Sequence, residues 1–353
     1  VTEVPALGRA RQADDDVVRL LVLGGTHHVG RAVVEAALAR GDEVTTLTRG
    51  LSGPPAAGAR ALHADRASAR EVAAVLGGAD WDAVIDTWSG APSAVQDATR
   101  IVAARSGHYC YVSSRSVYQW PIPLRADENA PVVDGDPGAA GDQDYAAAKR
   151  GGELAALAAF GDRALIARAG LILGPYEIVG RLPWWLRRIE RGGDVLAPGP
   201  RNLPLQYIDG RDLATWLLQA VEAGTGGVFN TVSEPGHTTM SGLLEAAKDA
   251  TGSAARLVWA APEVIAAAGI APWTELPVWV PPDSELIGLH SGDVTAARAT
   301  GLTCRPAPET VADTWAWLQA EGDPPPPPGG SAPGLDPERE QQALALVAKA
   351  SRS

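Results

Sequence analysis

The sequence predicts an α/β protein, a doubly wound parallel sheet with a smaller, mixed C-terminal lobe. Three observations point there. Residues 19–30, RLLVLGGTHHVG, pass from a short apolar run through glycines into a helical pattern. Strand-like and helix-like segments then alternate with short links to about residue 168, the pattern of repeated parallel β-α units. After Gly174-Pro175 the alternation loosens, and Gly, Pro and Trp become denser.

Residues 19–23 are rich in Leu and Val and read as a buried parallel strand. A helical pattern over 28–40 stops at Gly41. Further strands are expected at 43–48, 61–63, 83–87, 108–113 and 164–168, with helices at 67–76 and 92–104. A polar, Pro-rich loop runs to about Asp144, and an Ala-rich helix follows over 145–160. The C-terminal lobe reads as helices at 182–191, 211–221 and 239–251 with strands at 227–232 and 256–259. The Pro run 324–328 and the following GGSAPG read as a linker that is stiff and then flexible. Asp336-Pro337 pairs an N-cap with Pro at the first helical position and opens a short helix to about residue 350. Its apolar stripe, Leu344 and Val347, is narrow, so this helix is expected to dangle. The expected division is a disordered extension over 1–16, a dinucleotide-binding domain over 17–175 joined by returning segments of later chain, a substrate lobe over 176–321, and a linker with tail helix over 322–353.

Composition narrows the function. A 46% hydrophobic and 20% charged chain of 353 residues is that of a soluble globular protein. The net charge of −12 argues against nucleic acid or an anionic membrane as the main partner. Cys110 and Cys304 are too few for a disulfide framework or a zinc site, which fits a cytoplasmic protein. No window reaches the roughly 18 apolar residues of a membrane-spanning helix. The opening VTEVPALGRARQADDD lacks the apolar core of a signal peptide.

The first turn is a candidate anion site. Strand, glycine turn and helix N-terminus aim backbone N–H groups and the positive helix end at one spot. Gly24 permits the tight turn, and Gly30 lets helix and strand pack closely, leaving room for a dinucleotide pyrophosphate. The spacing is not plain G-x-G-x-x-G, because His27 stands where a middle glycine is common. His27 and His28 point differently on a turn and no Cys or carboxylate flanks them, so no metal is expected.

A second constellation is Ser114, Tyr145 and Lys149. Tyr145 and Lys149 stand four apart on one helix face. An ammonium beside a phenol favours the phenolate and lowers its pKa, preparing an acid/base for neutral pH. Ser114 ends the fifth strand, at the carboxyl edge where open α/β sheets bind ligands. Such Tyr/Lys pairs also occur on solvated helix faces. Lysine is otherwise found only at 248 and 349, so Arg was available for a generic surface charge.

These features together resemble the extended short-chain dehydrogenases/reductases of the NAD-dependent epimerase/dehydratase type. GGTHHVG, the strand-end Asp65, YVSSRSVY (111–118), YAAAK (145–149), RAGLILGP (168–175) and QYIDGRDLA (206–214) appear in that family's order over about 18–320. The resemblance implies a Rossmann domain, hydride transfer at C4 of a nicotinamide, and a substrate pocket roofed by the C-terminal lobe. It makes Tyr145 the acid/base, has Lys149 hold the nicotinamide ribose and tune Tyr145, and has Ser114 orient the substrate. Asp65 is to meet the adenine amino group. The cofactor set is then Gly24, Gly25, Thr26, His27, His28, Val29, Gly30, Arg49, Asp65, Thr87 and Lys149. Homodimerisation through the Tyr145 helix and its predecessor is also implied, and Ala146, Ala147, Ala148, Ala155 and Ala156 permit close helix approach.

Arg49, at the end of the second strand where an acidic residue binds the ribose of NAD, favours NADP over NAD. The dehydratase Asp-Glu pair is replaced by Arg115-Ser116, which argues against dehydration. Carbonyl reduction or alcohol oxidation remains, with sugar-nucleotide 4-epimerisation on retained NAD as the runner-up. A non-catalytic dinucleotide sensor or an RNA-binding member of the fold is the competitor from another class. For the substrate, Trp88, Ser116, Tyr118, Arg168, Arg201 and Gln206 are candidates. Arg168, Arg187, Arg188 and Arg201 are the cations available to a diphosphate, as of a nucleotide sugar.

Overall fold

The computed structural model describes residues 17–51, 53–324 and 333–350. The expectations for 1–16 and for most of the Pro-rich linker lie outside these residues. Six strands open the chain: β1 (Arg19–Leu23), β2 (Glu43–Thr48), β3 (Arg60–His63), β4 (Trp81–Asp86), β5 (Ser106–Ser114) and β6 (Ala164–Ala169). With the later strand Gly227–Thr231 they form one seven-stranded sheet, ordered β3-β2-β1-β4-β5-β6 and then 227–231. Every pairing in it is parallel. Four of five β1 residues and all six of β6 are buried, so an unbroken apolar run reads correctly as a strand covered on both faces. The strand order reverses on either side of β1, which opens a crevice at the carboxyl ends of β1 and β4.

Helices α1 (His28–Ala39), α2 (Ala69–Leu76), α3 (Pro92–Val102), α4 (Tyr145–Phe160), α5 (Arg181–Glu190), α6 (Gly210–Glu222) and α7 (Met240–Thr251) follow in order. α1 and α6 cover one sheet face with Val33, Val34, Leu213 and Leu217. α2, α3 and α4 cover the other, over Tyr109 and Tyr111. Helix α4 starts where Asp144 Oδ1 accepts the N–H of Ala146 (3.0 Å) and Ala147 (3.1 Å), which sets Tyr145 as its first residue. Gly152 is required on α4, because a Cβ there would lie 2.5 Å from the Tyr111 hydroxyl.

Part of the chain beyond residue 175 returns to the main sheet. α6 and the strand Gly227–Thr231 return to the main sheet, and Ala297 packs in the same core. The lobe proper is α5, α7, the helix Ala307–Glu321 and the parallel pair Asp194–Pro198 with Arg256–Ala260, around Trp185 and Trp279. The C-terminal helix Pro337–Ala350 does not dangle. Leu335, Ala343 and Val347 are buried in the lobe core, and buried Glu340 accepts from Arg188 Nε (2.6 Å) and Leu196 N (3.0 Å). The narrow stripe sufficed because a charged residue makes the remaining contact.

Candidate active site

The first turn is built as an anion cradle. Gly24 and Gly25 take φ of 128° and 114°, and Gly24 N donates to Leu47 O at 3.0 Å. A Cβ at Gly30 would stand 2.7 Å from Gly25 N, and one at Gly24 would stand 2.3 Å from Thr87 Oγ1. Thr87 itself donates to Leu23 O (3.2 Å), bracing the turn from β4. Helix α1 begins with no side-chain cap at His27 and no acidic residue in its first turn, so its leading N–H groups remain available. Thr26 and His27 are half-buried, whereas the Val29 side chain belongs to the core. His28 takes a φ of 44° and lies against Gly210, its buried Nε2 without a hydrogen-bond partner among the described residues. Burial, and then the nearby Arg181 charge, push its pKa down to about 4, so the imidazole is neutral at pH 7.

At the same sheet edge, the Ser114 hydroxyl caps the short turn Arg115–Val117, accepting Ser116 N at 3.1 Å. The Tyr145 hydroxyl lies near the Ser114 hydroxyl, which itself donates to Ser116 Oγ at 3.1 Å. Tyr145 is 49% exposed, but protein around its hydroxyl desolvates it and raises its pKa, while Ser114 and the Arg181 charge pull the other way. The expected lowering by Lys149 is not found. Lys149 is buried instead, its Nζ donating to Trp88 O (2.6 Å) and Val112 O (2.8 Å) over the Tyr111 ring. That burial lowers its own pKa to about 8 against the opposing charges of Asp86 and Glu153.

Trp88 is therefore a brace for Lys149. Its indole donates to Ala91 O (2.9 Å), and Arg66 stacks on its ring. Arg66 in turn holds buried Asp86 through two hydrogen bonds of 3.1 and 2.8 Å. Arg49 and Asp65 are both exposed just past the carboxyl ends of β2 and β3, the Asp65 carboxylate accepting Ala67 N at 2.9 Å. Ser116 is exposed beside Ser114.

The remaining expected substrate residues do not gather at Tyr145. Arg168 is buried in a two-bond pair with Glu153 (2.9 Å each), which removes it as a diphosphate contact. Tyr118 is buried and donates to Asn230 Oδ1 (2.7 Å). Gln206 is fully buried and spends its amide on Ser233 O, Gly292 O, Gly292 N and Arg115. Arg187 pairs with Asp323, and Arg188 with Glu340. Arg201 is exposed and stacks on Trp259. These residues share a signature with ligand contacts, polar types near strand ends, but their partners are distant in sequence.

Two residues at the site were not anticipated. Arg181, the first residue of α5, lies within electrostatic reach of both Tyr145 and His28 and stacks on Trp273. Glu177 is fully buried beneath it and accepts the N–H of Arg181 (2.8 Å) and Leu182 (3.1 Å). Burial raises the Glu177 pKa to about 7, opposed by the Arg181 charge. The helical pattern over 182–191 anticipated α5 to within a residue, but nothing in it marked Arg181 or Glu177 as facing the site.

Residues 20–231 match the sequence profile of the NAD dependent epimerase/dehydratase family. The chain belongs to that family. No curated protein sequence matches it. Among solved structures, the epimerase/dehydratase chain resembles the Bordetella bronchiseptica enzyme WbmH in complex with NAD+ (TM-score 0.64, 17% identity, 87% of this chain and 100% of that one). It also resembles WbmG of the same organism in complex with NAD and UDP (0.63, 16%, 87% and 96%). A third is the Thermus thermophilus UDP-glucose 4-epimerase complex with NAD (0.60, 19%, 86% and 99%). At these identities the likeness establishes the fold. The family is NAD dependent, so the Arg49-based preference for NADP is not supported by it. Among the described residues no helix is long and apolar enough to cross a membrane, and no cluster of metal-ligating side chains occurs. A cavity of about 320 Å³ lined by Ser233, His237, Arg298 and Cys304 shares no residue with the Ser114–Tyr145 site.

Proposed function

We propose that this family member is a nicotinamide-dependent oxidoreductase that interconverts a carbonyl and an alcohol. The observation that carries it is the placement of Ser114 and the Tyr145 phenol together at the sheet edge that also bears the uncapped α1 N-terminus. The residues fit a dinucleotide: any Cβ at position 24 or 30 would crowd the turn, and the leading α1 N–H groups suit a pyrophosphate. The chemistry supplied by the bound nicotinamide is hydride transfer at C4. Tyr145 gives its proton to the carbonyl oxygen in reduction and recovers it in oxidation, while Ser114 fixes that oxygen. Lys149 spends two ammonium N–H groups on Trp88 and Val112 and keeps a third for a ribose hydroxyl. Thr87 supports the turn, and Asp65 meets the adenine. We take NAD as the cofactor on the family's evidence, with Arg49 leaving NADP tolerated. A homodimer through α3 and α4 belongs to the same reading.

The second reading is sugar-nucleotide 4-epimerisation, in which the ketone is re-reduced before release. It is favoured by the UDP-bound and 4-epimerase neighbours. Dehydration is disfavoured, because Arg115 after Ser114 is buried against Gln206 and the carbonyls of Gly288 and Leu289 and offers no acid.

The test is Tyr145→Phe. NADH titration by fluorescence should be unchanged, while reduction of a carbonyl panel should fall about 100-fold or more. Turnover that persists overturns the assignment of Tyr145. Nucleotide released on denaturation separates the readings, since an epimerase retains NAD and a reductase exchanges it.

A further inference from the structure

Arg181, at the start of α5, is a guanidinium whose donors no described residue takes. Arg181 is mostly buried, with a side chain 22% exposed, yet among the described residues its guanidinium makes no hydrogen bond. Its closest acid, Glu177, is 3.9 Å away, and both Glu177 oxygens are already taken by the N–H groups of Arg181 and Leu182. Trp273 holds the guanidinium from one side at 5.5 Å. Of the other arginines expected at the pocket, Arg168 is committed to Glu153, Arg187 to Asp323 and Arg188 to Glu340, Arg115 is spent on carbonyls, and Arg201 lies exposed on the Trp259 ring. A buried guanidinium with free donors is costly unless a ligand accepts them, and its planar fork matches one carboxylate or phosphate.

Resting on the oxidoreductase reading above, we propose that Arg181 receives a single oxyanion of the substrate beside the reacting carbonyl, and that the substrate is a carboxylate or phosphate monoester rather than a nucleoside-diphosphate sugar. Glu177 at 3.9 Å already offsets part of the Arg181 charge, and its carboxyl takes the α5 N–H groups that would steady a second phosphate. A diphosphate would bring its charges to one guanidinium that Glu177 already offsets in part. One oxyanion matches one fork. The lowered pKa of Arg181, caused by burial, agrees with a cation held for a partner that arrives with the ligand.

The experiment titrates NADH-loaded protein with inorganic phosphate, pyruvate and UDP, following NADH fluorescence and thermal stability. Wild type should bind phosphate or pyruvate in the millimolar range or tighter, with UDP at least tenfold weaker. Whichever single-oxyanion probe binds names the class. R181Q should weaken that binding at least tenfold, R181K should restore part of it, and R201Q should change nothing. The proposal is overturned if UDP binds tighter than both small probes, if neither probe binds, or if R181Q leaves binding unchanged. It is overturned too if R181Q chiefly weakens NADH, which would assign the guanidinium to the cofactor. A wild type that binds neither NADH nor NADPH counts against the oxidoreductase reading, and the same probe titrations on cofactor-free protein still decide the role of Arg181.

Discussion

Tyr145 and Lys149 lie one helical turn apart on α4, yet the Lys149 ammonium is turned into the sheet, tied to the carbonyls of Trp88 and Val112. The charge that acts on the Tyr145 phenol in this arrangement is Arg181. Spacing alone put both side chains on one face; the buried carbonyls decided where the amine went.

A division of labour follows. Lys149→Met removes the donor for two carbonyls, one of them buried, and should cost about 1–3 kcal/mol of stability and weaken NADH binding. The Tyr145 titration, followed by ultraviolet difference spectra against Tyr145→Phe, should hardly move. R181Q should shift it upward instead, because the charge that lowers it is lost. A large shift in the Lys149 variant would return the tuning role to the lysine.

Stability should carry two opposing pH limbs. Glu177, raised from 4.5 to about 7, keeps a proton in the folded state that the unfolded chain has released, so its stabilisation is full below pH 4.5 and is lost as pH rises through 7. His28, lowered from 6.5 to about 4, refuses a proton that the unfolded chain accepts, so its contribution is full above pH 6.5 and is lost as pH falls through 4. Glu177→Gln removes the first limb alone. Between pH 5 and 8 the variant should gain up to roughly 3 kcal/mol relative to wild type in urea unfolding. Parallel wild-type and variant curves would show that the carboxyl does not titrate as the fold implies.

The sequence made the sheet legible because its signals are local. β1, the glycine turn and α1 follow within about twenty residues, and α4 begins where Asp144 caps it. What stayed hidden depends on distance. Arg168, Tyr118 and Gln206 looked like ligand contacts because nothing local reveals Glu153, Asn230 or Gly292 as their partners. Arg181 was overlooked because only folding brings α5 to the cofactor turn. The loss of strict alternation after residue 175 concealed which later segments return to the first sheet, namely α6 and the strand Gly227–Thr231.

Arg49 tests cofactor choice. It is exposed at the carboxyl end of β2 and forms no ion pair among the described residues, so a 2′-phosphate meets no competitor there. Arg49→Glu should weaken NADPH at least tenfold and leave NADH within about twofold. Equal loss of both nucleotides would mean that Arg49 supports the fold of the turn and reads no phosphate.

The C-terminal helix should prove part of the lobe. Arg188 on α5 and Glu340 are buried partners 152 residues apart, joined at 2.6 Å, and Glu340 also accepts Leu196 N from the strand Asp194–Pro198. Removing one partner leaves the other charge without compensation, and a broken buried pair costs about 3–5 kcal/mol. Glu340→Ala should therefore lower Tm by several degrees, and the double variant Arg188→Met/Glu340→Leu should recover much of the loss because neither charge remains. The same helix packs Arg339 against Glu275, two residues after Trp273, the ring that holds Arg181. Glu340→Ala should consequently weaken binding of the single-oxyanion probe more than it weakens NADH, whose turn lies on β1 and α1. If Tm falls while both affinities hold, the helix stabilises the lobe without shaping the site.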